Sequence, residues 1–140
     1  MSNLEKRLNG RKPDYILIQH MEEVQSVTLN ILINKYTNVK IVSSIKSFNI
    51  MKNFFNNDYN DRRILIKEGD KLSLGKYVLQ FIEAPIVYWP EIIFIYDLST
   101  NYLFSSDAFG KFGVNDVDEQ WEDGLRRFYF GILYKNDKQV

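Results

Sequence analysis

The chain has 140 residues, 45% of them hydrophobic and 15% aromatic, enough to close the core of one compact domain and too few for two ordinary ones. Eighteen basic residues balance eighteen acidic ones, so no net field draws the chain to nucleic acid or to an anionic membrane. Cysteine is absent, which excludes disulfides, thiolate metal sites and a cysteine nucleophile together and fits a reducing, cytoplasmic setting.

Residues 3–11 read as the end of a helix, with Leu4 and Leu8 on one face and Gly10 as its stop. Glu5, Lys6 and Arg7 stand where a signal peptide would need an apolar core. No apolar run reaches the roughly 18 residues of a membrane span. Tyr15-Ile16-Leu17-Ile18 predicts a buried strand. Residues 20–26 are polar and loop-like, and residues 27–36 carry apolar side chains at helical spacing (Leu29, Ile31, Leu32, Ile33, Tyr36). Val39 to Val42 predicts a second buried strand. Ser44 then caps a helix with Ile45, Phe48, Met51, Phe54 and Phe55 as its apolar positions.

From Arg62 the period changes. Residues 64–66, 77–82, 92–96 and 102–104 predict strands, with turns at Gly69-Asp70, Leu74-Gly75 and Ser99-Thr100-Asn101. Residues 107–113 form a small-residue loop. A closing helix is expected over 118–133, with Trp121, Leu125, Phe128 and Ile132 at helical spacing and its acids before its bases. The order implies an α/β or α+β class in one domain, residues 1–140.

Only Gln19-His20-Met21-Glu22-Glu23-Val24-Gln25-Ser26, directly after the first strand, looks like a site. Ligands gather at the carboxyl ends of strands in such sheets. An extended backbone aims residues two apart to the same side, so His20 and Glu22 form half of an iron, zinc or manganese site. An inert surface histidine is the plain alternative. There is no nucleophile elbow and no phosphate loop, and the glycines look like turn glycines.

Five landmarks in order resemble the metallo-β-lactamase-like domain of flavodiiron proteins. Asp14-Tyr15-Ile16-Leu17-Ile18-Gln19 leads into His20-Met21-Glu22-Glu23-Val24-Gln25-Ser26, where that family has His-x-Glu-x-Asp-His-Ser-Gly. Tyr36-Thr37-Asn38-Val39-Lys40-Ile41-Val42 and Lys67-Glu68-Gly69-Asp70-Lys71-Leu72-Ser73-Leu74-Gly75 are similar to family stretches. So are Phe81-Ile82-Glu83-Ala84-Pro85-Ile86-Val87-Tyr88-Trp89-Pro90-Glu91 and Leu103-Phe104-Ser105-Ser106-Asp107-Ala108-Phe109-Gly110.

The resemblance implies part of an αββα sandwich, with mixed sheets and flanking helices. The family holds two irons, bridged by an aspartate, and reduces dioxygen or nitric oxide with electrons from a flavin. Carried over by position, His20 and Glu22 match ligands of the first iron and Asp107 the bridging aspartate. Tyr88 stands at the first iron's second histidine, Val24 at an aspartate ligand of the second iron and Gln25 at its histidine. Valine donates nothing and a neutral glutamine binds weakly, so the resemblance implies a lost second site. The first retains His20, Glu22 and Asp107, to which Tyr88 adds a phenol oxygen.

The family's domain begins earlier and runs on past this stretch into an FMN domain. The expectation is therefore a middle portion with no FMN site, whose open sheet edges another copy or a partner protein covers. Three readings follow. The first is a degenerate module that acts by self- or partner-association, with no cofactor expected. The second is a sensor of oxygen or nitric oxide holding one iron (or zinc). The third is one subunit of a split oxidoreductase.

Overall fold

The computed structural model describes residues 2–85, 89–110 and 121–128. The chain divides into two compact units, Met1–Lys67 and Glu68–Val140.

The first unit opens with helix α1 (Ser2–Leu8) and then alternates: β1 (Tyr15–Leu17), α2 (Glu23–Lys35), β2 (Lys40–Ser43), α3 (Ile45–Phe55), β3 (Arg63–Leu65). The strands form a parallel sheet in the order β1-β2-β3. Parallel neighbours need a crossover of a dozen or so residues, which α2 and α3 supply. Ile41 and Val42 of central β2 are fully buried, as a strand covered on both faces must be. Ile41 clusters with Ile18, Met21, Ile33, Phe48, Met51 and Tyr59.

Ser44 caps α3 as expected, its Oγ accepting from the Ser47 N–H at 3.2 Å, and Asn56 ends the helix at a left-handed φ of 50°. Of the five apolar positions, Phe48 and Met51 are fully buried and Phe55 packs at the core margin, while Ile45 and Phe54 are exposed. The helix buries a narrower stripe than its periodicity offers. α2 starts at Glu23, so residues 23–26 are helical and not loop. Glu22 is extended (φ −94°, ψ 150°), and Glu23 puts a negative charge in the first turn, where the helix dipole favours it. Those polar residues carry no apolar period, which is why the periodicity begins only at Val27. β1 ends at Leu17, and Tyr15 is exposed.

The second unit is an antiparallel meander: β4 (Lys71–Ser73), β5 (Val78–Glu83), β6 (Ile93–Asp97) and β7 (Tyr102–Phe104), in that order. β4 lies between two expected turns and was not expected from its pattern. It is three residues long and mostly exposed, and its pairing with β5 defines it. Ile82 opposes Phe94 and packs with Ala84, Ile92 and Ala108. α4 (Trp121–Phe128) occupies the centre of the expected last helix, whose remainder lies outside the described residues. Its Arg126 lies 3.9 Å from Asp123, one turn back. The class is mixed α/β, with parallel and antiparallel sheets and flanking helices, as expected. Among the described residues no helix is long and apolar enough to cross a membrane.

Candidate metal centre

The loop after β1 is held at both ends. Ile18 donates its N–H to the Val42 carbonyl at 3.0 Å, and Ile18 and Met21 are both buried, one on each side of Gln19-His20. That anchoring carries His20 inward, leaving its side chain 2% exposed, while the Glu22 side chain stays 45% exposed. His20 Nε2 and Glu22 Oε1 lie 3.5 Å apart.

Glu22 occupies the N-cap position of α2, yet its carboxylate makes no capping hydrogen bond. Ser26 instead binds the Glu22 backbone carbonyl twice, through N–H at 2.9 Å and Oγ at 2.6 Å. The carboxylate faces His20. Two donors at about 2.1 Å from one ion, subtending 90–109°, stand roughly 3.0–3.4 Å apart. The observed separation matches that span closely enough for one ion to take both atoms.

Val24 and Gln25, just beyond this pair, offer a metal little. Val24 and Gln25 fall in the first turn of α2, Gln25 exposed to solvent. A hydrocarbon donates nothing to a metal and a neutral amide binds weakly.

Asp107 belongs to the second unit. It sits in the turn Ser105–Gly110 that follows β7, with an exposed carboxylate able to serve as a donor. Ser106 and Phe109 on either side of it have positive φ, 52° and 63°. Ala108 N–H donates to the Ser105 carbonyl at 3.1 Å, and Ser105 Oγ donates to the Ala108 carbonyl at 2.8 Å.

The structure thus brings His20 and Glu22 together within one loop and puts Asp107 on a turn of its own. Tyr88 lies outside the described residues. The sequence pattern does not mark the three serines that hold these segments: Ser26, Ser105, and Ser43, whose hydroxyl donates to the Ile18 carbonyl at 2.8 Å. The available signal was local: serine at the edge of a polar loop or turn readily bonds nearby backbone.

Residues 1–129 match a family described as ODP family beta lactamase. A diflavin flavoprotein A of Synechocystis sp. is 32% identical over 139 residues, covering 96% of this chain and 23% of that protein. A solved fragment of a diflavin flavoprotein A from Nostoc sp. PCC 7120 has the same fold, with a TM-score of 0.81 at 23% identity over 96% of this chain and 54% of that one. The rubredoxin oxygen:oxidoreductase of Desulfovibrio gigas gives a TM-score of 0.78 at 25% identity, covering 95% of this chain and 35% of its own. The chain spans about a quarter of the length of the curated relatives it matches.

Proposed function

This chain belongs to the ODP family of beta-lactamase-like domains found in flavodiiron proteins, and we propose that it is a member without two-metal chemistry that keeps one metal position. The observation that carries the proposal is the 3.5 Å pairing of His20 and Glu22, followed within three residues by Val24 and Gln25. The first half of the family's donor pattern keeps His20 and Glu22, with Tyr88 in place of a histidine, while the second offers only Val24 and Gln25 beside the shared Asp107.

His20 and Glu22 would hold the ion, with Asp107 as a third donor by its match to the family motif and the phenol oxygen of Tyr88, at a family histidine position, as a fourth. An imidazole with carboxylates suits iron and also zinc. An ion held there would supply a Lewis-acidic centre. The imidazole is buried and the carboxylate is half-exposed. That exposure favours a second role within the same reading, a mononuclear sensor of dioxygen or nitric oxide.

Reduction of either gas over many turnovers is not expected of a single position. The module acts through association with a second copy or a partner protein. Support comes from β7, last in its sheet among the described residues, whose Tyr102, Leu103 and Phe104 are all exposed. That both units form one domain is part of the same proposal, supported by one family match running through them. A cytoplasmic setting also belongs to it, supported by a sequence with no cysteine to oxidise.

Anaerobic titration of the purified chain with ferrous iron tests the reading. One iron per chain is expected, with binding lost in His20→Ala and weakened in Glu22→Gln. Iron at 100 times its dissociation constant should stabilise the fold by about 2.7 kcal/mol. Two irons per chain, or sustained consumption of dioxygen or nitric oxide, would show a working second position. Failure to bind any iron would remove the metal from the reading.

A further inference from the structure

We propose that Ser105 is a positioning residue for Asp107: its hydroxyl closes the turn that presents the Asp107 carboxylate, and through that turn it sets the affinity of the metal position. The proposal rests on the reading above that Asp107 is a donor.

Two non-glycine residues in this six-residue turn, Ser106 and Phe109, adopt left-handed φ values. Such conformations are costly for side chains with a Cβ and persist only where the surroundings over-determine them. Here the surroundings are few and specific. Ser105 binds both backbone polar groups of Ala108, its carbonyl accepting the N–H and its hydroxyl donating to the carbonyl. Ala108 is itself buried against Ala84, Ile92 and Phe94, and the Phe109 ring tilts against Phe94 with centroids 6.2 Å apart. Gly110 closes the turn with its N–H 3.3 Å from the Asp107 carbonyl, and a Cβ there would come within 3.1 Å of that oxygen.

Asp107, enclosed between the two strained residues, contributes only its backbone to this scaffold. Asp97 in the preceding turn is the contrast, because its carboxylate is taken up by the Thr100 hydroxyl and the Ser99 N–H. Strain is therefore held around an aspartate whose side chain the turn does not use. Such a combination fits a residue whose side chain is wanted elsewhere. The hydroxyl of Ser105 is the one side-chain hydrogen bond inside the turn among the described residues, which makes it the point to test.

Ser105→Ala, with Ser105→Thr as the variant that keeps the hydroxyl, should be compared in the full chain using ferrous iron as the probe. Ser105→Ala should weaken iron binding about tenfold, the loss of roughly one good hydrogen bond, and Ser105→Thr should restore it. In an Asp107→Ala background, Ser105→Ala should change iron affinity no further, because both act through one carboxylate. An undiminished effect in that background overturns the proposal. A metal-free readout stands beside it: amide exchange at Ala108 and Gly110 should quicken about tenfold in Ser105→Ala, with β5 and β6 unchanged. Absence of iron from the wild type overturns the proposed function. Unchanged exchange at Ala108 and Gly110 overturns the role of Ser105 whether or not iron binds.

Discussion

The Ser43 hydroxyl donates a 2.8 Å hydrogen bond to the Ile18 carbonyl, and both residues are buried. The last residue of β2 thus ties down the chain just past the end of β1. Ile18 is fixed on its other side by its own N–H to Val42, so β1 stays in register up to two residues before His20. Removing the hydroxyl leaves a buried carbonyl unsatisfied, at a cost of about 1–3 kcal/mol. Ser43→Ala should lower the unfolding free energy by that amount in urea, with an unchanged slope. A loss under about 0.5 kcal/mol, the level of an ordinary surface substitution, would mean another donor takes the hydroxyl's place.

Arg62 stands at the other end of α2. Its Nη1 donates to the carbonyls of Ile33, Tyr36 and Thr37 at 3.2, 3.2 and 2.8 Å, and its guanidinium lies 5.3 Å from the centre of the Tyr59 ring. The last carbonyls of a helix have no partner within it, and a cation there also meets the negative end of the dipole. Arg62→Met keeps most of the stem and removes the donors, so about 1–2 kcal/mol should be lost in thermal or urea unfolding. Arg62→Lys should recover only part, since a point charge cannot reproduce the planar fork. Burial holds the Tyr59 phenol above its ordinary value and Arg62 pulls it back, so Arg62→Met should raise it further in a spectroscopic titration.

The pH dependence should show Asp97. Its carboxyl is held below the ordinary range, first by the Thr100 hydroxyl at 2.6 Å and then by the Ser99 N–H at 2.9 Å, against an opposing effect of burial. A folded-state value below the unfolded one, about 3.9, gives stability that is complete above that pH and lost as pH falls through the folded value. Asp97→Asn should therefore lower stability at neutral pH and flatten the acid limb of a stability profile below about pH 4. Thr100→Val should do so in part. A wild-type profile level through that range would contradict the assignment.

Association should depend on β7. If Tyr102, Leu103 and Phe104 pair with another copy, sedimentation equilibrium at micromolar concentration should show assembly. A standard interface buries roughly 1,600 Å² in total. Leu103→Lys places a charge on the edge strand and should shift the equilibrium toward monomer, since lysine is a common guard of open edges. A monodisperse wild-type monomer with a cooperative melt would remove self-association from the proposed function.

Local chemistry was legible in the residues themselves. Ser44 at the start of α3, the turn at Ser99-Thr100-Asn101 and the same-side aim of His20 and Glu22 depend on neighbours within a few positions, and they stand as read. What Val24 can offer a metal was equally plain, because a valine has no donor in any fold. Partnership between distant segments was not legible. Ile45 and Phe54 share the period of Phe48 and Met51, yet only packing against β2 and Tyr59 decides which of them lose water. β4 is three residues defined by the strand opposite. α2 begins in a polar stretch that no apolar period marks. The 3.5 Å separation of His20 and Glu22 required the burial of Ile18 and Met21 on either side, and the turn around Asp107 required Ala108 to find its cluster. Sequence specifies which atoms can donate; burial and backbone hydrogen bonds between distant residues set where those atoms stand.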